Sequence, residues 1–328
     1  MYIIYGIPRL RIKSPTAVAV GTFDGVHRGH KEVIRRLKRR AEAIKGKSCV
    51  LTFARHPLRT LRPRKTPPML ISARHRLNLL AAEGIDIAVL IDFTARFADM
   101  GPVRFAKDVL AGKLNAKEIL AGEKFLFGRG RKGDAALLRE LGLKFGFKAR
   151  VVPPLKTGGV SISSTLIRKL VMSGRLKEAK RMLGRDVAIL GTVTKGAGRG
   201  RGLGFPTANL DLHHEAIPPS GVYAVKVKMG NKTYKGVLNI GFRPTFEEAR
   251  KEPVVEVYIF GFNKSIYGED LEVLFVKKIR RERAFKDKSR LALRIEKDIR
   301  AAGGGASERA SVKKARPGRQ GARSGGAI

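Results

Sequence analysis

The stretch AVAVGTFDGVHRGH, Ala17–His30, leaves the backbone few courses to follow. Ala17 to Val20 are small or β-branched and apolar, the composition of a buried parallel strand, and a glycine-containing turn follows at once. Beyond it Val33, Ile34, Leu37, Ala41 and Ile44 recur at helical spacing, with Lys and Arg on the opposite face. The unit is therefore strand, tight loop, helix. It puts His27 in the loop and His30 in the first helical turn, where free backbone N–H groups and the helix dipole favour an anion. Two imidazoles at this spacing can reach one phosphate chain together, and Gly21 and Gly25 let the backbone approach it. The stretch is neither a Walker lysine loop nor GxGxxG.

The rest of the first half alternates apolar strands with amphipathic helices. Cys49–Phe53, Ile85–Ile91, Glu118–Ala121 and Lys148–Val152 read as strands, and Ala73–Ala82, Pro102–Ala111 and Asp134–Leu143 as helices. Such alternation predicts an α/β domain, a parallel sheet with helices on both faces, whose ligands lie beyond the carboxyl ends of the strands. Three further stretches fall at such ends. In Thr52–Pro57, His56 precedes a proline and is held extended, facing either the site or the surface. In Gly122–Gly133, Phe125 and Phe127 adjoin Lys124 and a basic glycine loop, a combination fit to stack a planar ring and hold phosphate, or to be an ordinary basic surface loop. In Ile162–Arg168, Ser163 and Ser164 suit a helix N-cap, and with Arg168 one turn later they also suit a second anion clamp.

At 328 residues and 43% hydrophobic content the chain can bury two full cores. Lys and Arg outnumber Asp and Glu by 68 to 28, a formal charge of +40 that attracts polyanions and nucleotide phosphates alike. No RNA-recognition, zinc-finger or helix-turn-helix signature accompanies the charge, so nucleic acid is not expected as the primary partner. Cys49 is the only cysteine and sits in an apolar run, which fits a buried thiol in a reducing compartment. The apolar run of MYIIYGIPRLRIK is too short for a signal peptide, and no window approaches the ~20 apolar residues of a membrane span. The chain reads as soluble and cytoplasmic, without a membrane partner.

Helices at Thr165–Met172 and Leu176–Leu183, broken by Gly174, link the halves. From Val187 the pattern turns all-β, with strands at Ala188–Thr194, Val222–Met229, Thr233–Ile240, Val254–Phe260 and Leu271–Ile279 and a helix near Ser289–Ala302. Short strands with glycine turns predict a compact barrel of about six strands. The expected domains are 1–184, 185–302 and a disordered basic tail 303–328, either merely solvated or a weak binder of polyanions. Glycines including Gly196 and Gly198 lead into Phe205-Pro-Thr-Ala-Asn209, which reads as a phosphate-enclosing flap beside a rigid ligand pair. Thr207 and Asn209 offer hard oxygens suited to Mg²⁺ already held by ATP. Glu256 lies among apolar residues of a strand; alternation turns it outward, or it aims into a barrel mouth as a general base.

In their order and spacing GTFDGVHRGH, TF-x-x-HP, FLFGRGRKGD and ISSTLIR resemble the adenylyltransferase half of the bacterial bifunctional riboflavin kinase/FAD synthetase family, whose members are His-x-Gly-His nucleotidyltransferases. GFPTAN, Gly221-Val-Tyr, Asn239 to Phe246, Val255-Glu-Val, Tyr267-Gly and Arg280 to Phe285 resemble its riboflavin kinase module, so the likeness spans residues 14–302. It implies a Rossmann-like nucleotidyltransferase domain followed by a kinase barrel. It also implies riboflavin, FMN and ATP as substrates, with FMN and then FAD as products. In the first half FMN phosphate would attack the α-phosphorus of ATP and pyrophosphate would leave. His27 and His30 would hold the phosphates, with Ser164 and Arg168 opposite, Gly21, Phe23, Gly25 and Ser163 in the same nucleotide site, and Lys124, Phe125 and Phe127 against the flavin. In the second half Thr207 and Asn209 would hold Mg²⁺ and ATP beside Gly196 and Gly198, while Glu256 takes the proton of the riboflavin 5′-hydroxyl. The chain departs from the family with Lys124 in place of Asp or Asn, Arg55 in place of Pro, and Ser265-Ile266 in place of Asp-Leu. Two rival readings are a kinase whose transferase half is weakened or redirected by Lys124, and an RNA-binding protein on a reused enzyme fold.

Overall fold

The computed structural model describes residues 1–7, 10–61, 63–196, 204–213, 215–242, 253–283 and 287–304. Gly198, the Arg243–Phe246 part of one family motif, Phe285, and the tail from 305 onward lie outside the described residues. Two compact units form: Met1–Gly191 together with Leu212–Pro219, and Thr192–Asp211 together with the chain from Ser220 on.

The first unit is an α/β domain on one parallel sheet. Its strands are β1 (Tyr2–Tyr5), β2 (Thr16–Val20), β3 (Lys47–Phe53), β4 (Ile87–Ile91), β5 (Ala116–Gly122) and β6 (Lys148–Val152), in the order β1-β4-β3-β2-β5-β6. The chain builds outward from β2 through β3 and β4, then crosses back to β5 and β6, so the order reverses at β2. A crevice opens at such a reversal, beyond the carboxyl ends of the strands. Every residue of β2 is buried, which its small and β-branched side chains permit with cover on both faces. Val18, Val20, Cys49, Leu51, Val89 and Ile119 belong to the main core, while Leu77, Ala88 and Leu90 pack on the other face. Burial pushes the Cys49 thiol up to about 12 and leaves it inert. The helix Arg28–Ala43 after β2 buries Ile34, Leu37 and Ala41 and turns its charges outward. After β6 come a small hairpin, β7 (Lys156–Thr157) and β8 (Val160–Ser161), and the helices Ser164–Met172 and Leu176–Leu183.

After the α/β sheet the chain forms a closed antiparallel barrel ordered β10-β13-β12-β11-β14-β9, which makes up most of the second unit, with Ala188–Gly191 of β9 grouped with the first. Its strands are β9 (Ala188–Thr194), β10 (Ala208–Asp211), β11 (Gly221–Met229), β12 (Lys232–Phe242), β13 (Pro253–Ile259) and β14 (Asp270–Arg280). Alternate residues such as Val193, Leu210, Val225, Val227, Leu238, Val255 and Val257 fill the interior. On the outside, Phe205, Tyr258, Phe260 and Ile299 of the helix Lys288–Ala301 form a separate cluster.

Candidate active sites

The turn after β2 is strained, with positive φ at Phe23 (48°), Gly25 (86°) and Val26 (36°). A β-branched residue in that region costs of order 1–3 kcal/mol, so surrounding bonds must impose it. Asp24, almost wholly buried, accepts the N–H groups of Leu70 at 2.9 Å and Ile71 at 3.2 Å, and Arg168 Nη2 at 2.7 Å. Ser164 Oγ donates to the Asp24 carbonyl at 2.7 Å. The Thr22 carbonyl accepts Thr52 Oγ1 at 3.0 Å and Arg76 Nη1 at 2.7 Å, and Arg76 Nη2 also donates to the Phe53 carbonyl. At Gly25 a Cβ would stand 2.8 Å from Leu70, so close packing as well as φ calls for glycine.

This scaffold presents the histidines. His27 caps the helix Arg28–Ala43, its Nδ1 accepting the His30 N–H at 3.3 Å, which leaves the proton of the neutral ring on Nε2. The two rings stack with centroids 3.6 Å apart and planes 14° off parallel, and Phe23 lies 5.0 Å from His30. Burial, reinforced by Arg185, pushes His27 down to about 4. Burial also drives His30 well below its usual range, with His27, Arg76 and Arg185 adding to the effect. At neutral pH both rings are therefore uncharged hydrogen-bond donors in a field made positive by arginines. Among the described residues, His30 Nδ1 and Arg168 Nε are buried without a hydrogen-bond partner. The structure thus joins Ser164 and Arg168 through Asp24, three residues before His27 in the same turn, and stacks His30 on His27. Ser163 instead caps its helix, its Oγ accepting the Leu166 N–H at 3.3 Å.

Beside the loop opens a cavity of about 790 Å³. Gly21 and Thr22 form one wall, Phe53, Phe93, Phe97, Phe105, Phe125 and Phe127 the others, and the exposed Lys124 and Arg131 stand at its edge. Neighbouring rings touch in series, Phe53–Phe93 at 5.4 Å edge-on through Phe125–Phe127 stacked at 5.6 Å. His56 lines the same cavity, with its Nδ1 accepting the Leu58 N–H at 3.1 Å and burial lowering its pKa. Sequence reasoning found Lys124, Phe125 and Phe127 but missed Phe93, Phe97 and Phe105. Phe93 and Phe97 follow the end of β4 at helical spacing, so the strand-end rule applied there would have found them.

On the barrel, Asn209 of β10 pairs with Glu256 of β13, which pairs in turn with Asn239 of β12. Val255 and Val257 point inward, 1% and 0% exposed, so Glu256 faces out of the barrel rather than into its mouth. The next residue on that face, Tyr258, takes the Phe205 ring edge-on at 5.8 Å. Phe205 thereby anchors the segment that carries Thr207 and Asn209. A Cβ at Gly196 would run into the Asn209 side-chain amide, so glycine lets that backbone rest on Asn209 without displacing it. Among the described residues no three His, Cys, Asp or Glu side chains gather as a metal site. A cation here would depend on the hard oxygens of Thr207 and Asn209 with nucleotide phosphate, a donor set that fits Mg²⁺.

The family profile described as FAD synthetase matches residues 10–166, and the one described as riboflavin kinase matches residues 183–304. The chain is 36% identical to the bifunctional riboflavin kinase/FMN adenylyltransferase of Buchnera aphidicola subsp. Schizaphis graminum, over 91% of this chain and 97% of that protein. The chain belongs to that family. Its member from Escherichia coli K12 is also 36% identical, over 86% of this chain and 90% of the relative. A solved Streptococcus pneumoniae structure, titled a macrolide-efflux protein, superposes with a TM-score of 0.78 at 30% identity, covering 93% of this chain and all of that one. Among the described residues here, no helix is long and apolar enough to cross a membrane.

Proposed function

We propose that this member of the bifunctional family phosphorylates riboflavin to FMN on the outer face of the barrel and adenylylates FMN to FAD at the loop after β2. The second activity rests on one observation above all: a stacked pair of uncharged imidazoles on a helix N-terminus, next to a cavity walled by phenylalanines. FMN lies with its ring system in that cavity and its phosphate toward Gly21 and the histidines. A phosphate oxygen attacks the α-phosphorus of ATP, the bond to the β-phosphate oxygen breaks, and pyrophosphate departs. His27 and His30 donate hydrogen bonds to the phosphates, and Arg168, beside Ser164, offsets their charge. Such catalysis is positioning plus electrostatics and needs no nucleophilic side chain. Phe23 and Gly25 shape the loop, Ser163 fixes the helix that brings Ser164 and Arg168, and Lys124 attracts the anionic flavin at the cavity edge.

At the barrel, Glu256 takes the proton of the riboflavin 5′-hydroxyl as that oxygen attacks the γ-phosphorus and ADP leaves. Thr207 and Asn209 hold the nucleotide beside Gly196. Mg²⁺ brought in with ATP would be held by Thr207 and Asn209 and would neutralise phosphate charge. Adenylyl transfer is assigned to residues 1–184 and phosphorylation to 185–302, with the cytoplasm as the place of action. Incubating the purified chain with riboflavin and Mg·ATP and separating the flavins by chromatography tests this: FMN should form first and FAD after it. FMN without FAD would remove the transferase half, and neither product would remove the whole reading.

A further inference from the structure

Glu215 falls inside the span matched by the riboflavin kinase profile, yet Leu212–Pro219 is part of the first compact unit. Its side chain has no exposed surface, with His75 Nδ1 at 3.5 Å from its Oε1. Oε1 accepts the Ser72 N–H at 2.6 Å and Oε2 accepts the Leu190 N–H at 3.1 Å. A β-bridge joins Met69 to Glu215, and Ala216 N donates to the Met69 carbonyl at 2.6 Å. What is held in this way is the approach to the helix Ala73–Ala82, whose N-cap is Ser72. The same short strap supports the strained loop after β2. Three consecutive amides are divided between two buried carboxylates: Leu70 and Ile71 donate to Asp24, Ser72 to Glu215. One helical turn on, Arg76 holds the carbonyls of Thr22 and Phe53 at the ends of β2 and β3.

We infer that Glu215 is a positioning residue for adenylyl transfer. It fixes the strap of residues 69–76, the strap fixes Asp24, and Asp24 fixes the turn that presents His27 and His30. The transferase site is thus completed by a residue from the kinase-matching part of the sequence, beyond both the FAD synthetase match and residue 184. Removing the carboxylate leaves two buried N–H groups without acceptors and loosens the strap without touching a substrate. The inference rests on the reading of the loop as the transfer site.

The full-length chain carries its own controls, because FMN affinity reports on the folding of the first unit and riboflavin phosphorylation on that of the barrel in the same sample. Glu215→Ala removes both acceptors; Glu215→Gln keeps the volume and one acceptor but sets an amide donor against an N–H. For both, kcat for FAD formation from FMN should fall about ten- to hundredfold, Ala more than Gln, as for other small misplacements of reacting groups. Riboflavin phosphorylation and FMN affinity, read by flavin fluorescence, should change by less than about twofold, because the Leu190 N–H that Glu215 accepts lies at the start of β9, four residues before the Thr194 that pairs with Asn209. An unchanged rate of FAD formation, or a parallel loss of both activities in both variants, would overturn the inference. His30→Ala in the same assay separates the two levels. If it still makes FAD, the reading of the loop fails; if it does not while Glu215→Ala does, only this inference fails.

Discussion

Arg168 Nη2 stands 2.7 Å from Asp24 Oδ2, and the two side chains are 9% and 2% exposed. The pair ties the helix Ser164–Met172 to the strained turn after β2, and it places a guanidinium at the same turn as the histidines, its Nε without a hydrogen-bond partner among the described residues. Asp24→Ala leaves a buried arginine unpaired and the Leu70 and Ile71 amides without an acceptor. The expected loss is about 3–5 kcal/mol in urea unfolding of the first unit, with FAD formation abolished. Asp24→Asn keeps one carbonyl acceptor and should lose less. Equal stability of wild type and Asp24→Ala would show that the turn does not depend on this carboxylate.

His27 sets a direction for the effect of pH. Its folded value near 4 lies below the 6.5 of a free imidazole, so between those limits the unfolded chain binds a proton that the folded chain does not. Stability contributed by this group is complete above pH 6.5 and declines as the pH falls toward 4. NMR titration of the His27 Cε1–H in the free protein should give a midpoint near 4. A midpoint near 6.5 would mean the ring is not held uncharged by burial.

The aromatic walls of the cavity give a binding prediction. Phe93→Ala or Phe97→Ala removes one ring from a series in which Phe93 and Phe97 meet edge-on at 5.4 Å. FMN affinity, followed by fluorescence quenching, should weaken by roughly tenfold, in keeping with the loss of one aromatic contact. Riboflavin phosphorylation should be unaffected in the same protein.

On the barrel, Gly196→Ala drives a methyl group into Asn209. Either the Asn209 side chain or the backbone beside it must shift, and phosphorylation of riboflavin should fall by about tenfold or more. FAD formation from supplied FMN should continue at the wild-type rate, measured on the same preparation.

Periodicity made the strand-loop-helix around His27 and the alternation of the first half legible, because buried strands and amphipathic helices leave regular apolar patterns. Ala73–Ala82, Lys148–Val152, Leu176–Leu183 and Ala188–Thr194 occur as read from the sequence. β10 was not legible as a strand: its four residues, Ala208–Asp211, alternate too briefly, and the polar Asn209 suggested a ligand rather than a ladder. β1 escaped notice because an exposed edge strand carries no core pattern, Tyr2 being 81% exposed. The helix read as Pro102–Ala111 is helical only to Arg104 in α form and continues as a π-helix over Phe105–Lys113, a change of hydrogen-bond register that no side-chain pattern announces. Asp24, Arg76 and Glu215 were invisible as organisers, since a charged residue in sequence reads as surface until its buried partners are known.

The double dissociation of His30→Ala and Asn209→Ala tests the two-site account most directly, with flavins separated after incubation with Mg·ATP and either riboflavin or FMN. His30→Ala should turn riboflavin into FMN and stop there, while Asn209→Ala should turn FMN into FAD yet leave riboflavin untouched. Loss of both products from either substitution, or FAD formed by His30→Ala, would contradict separate sites at the β2 loop and the barrel face.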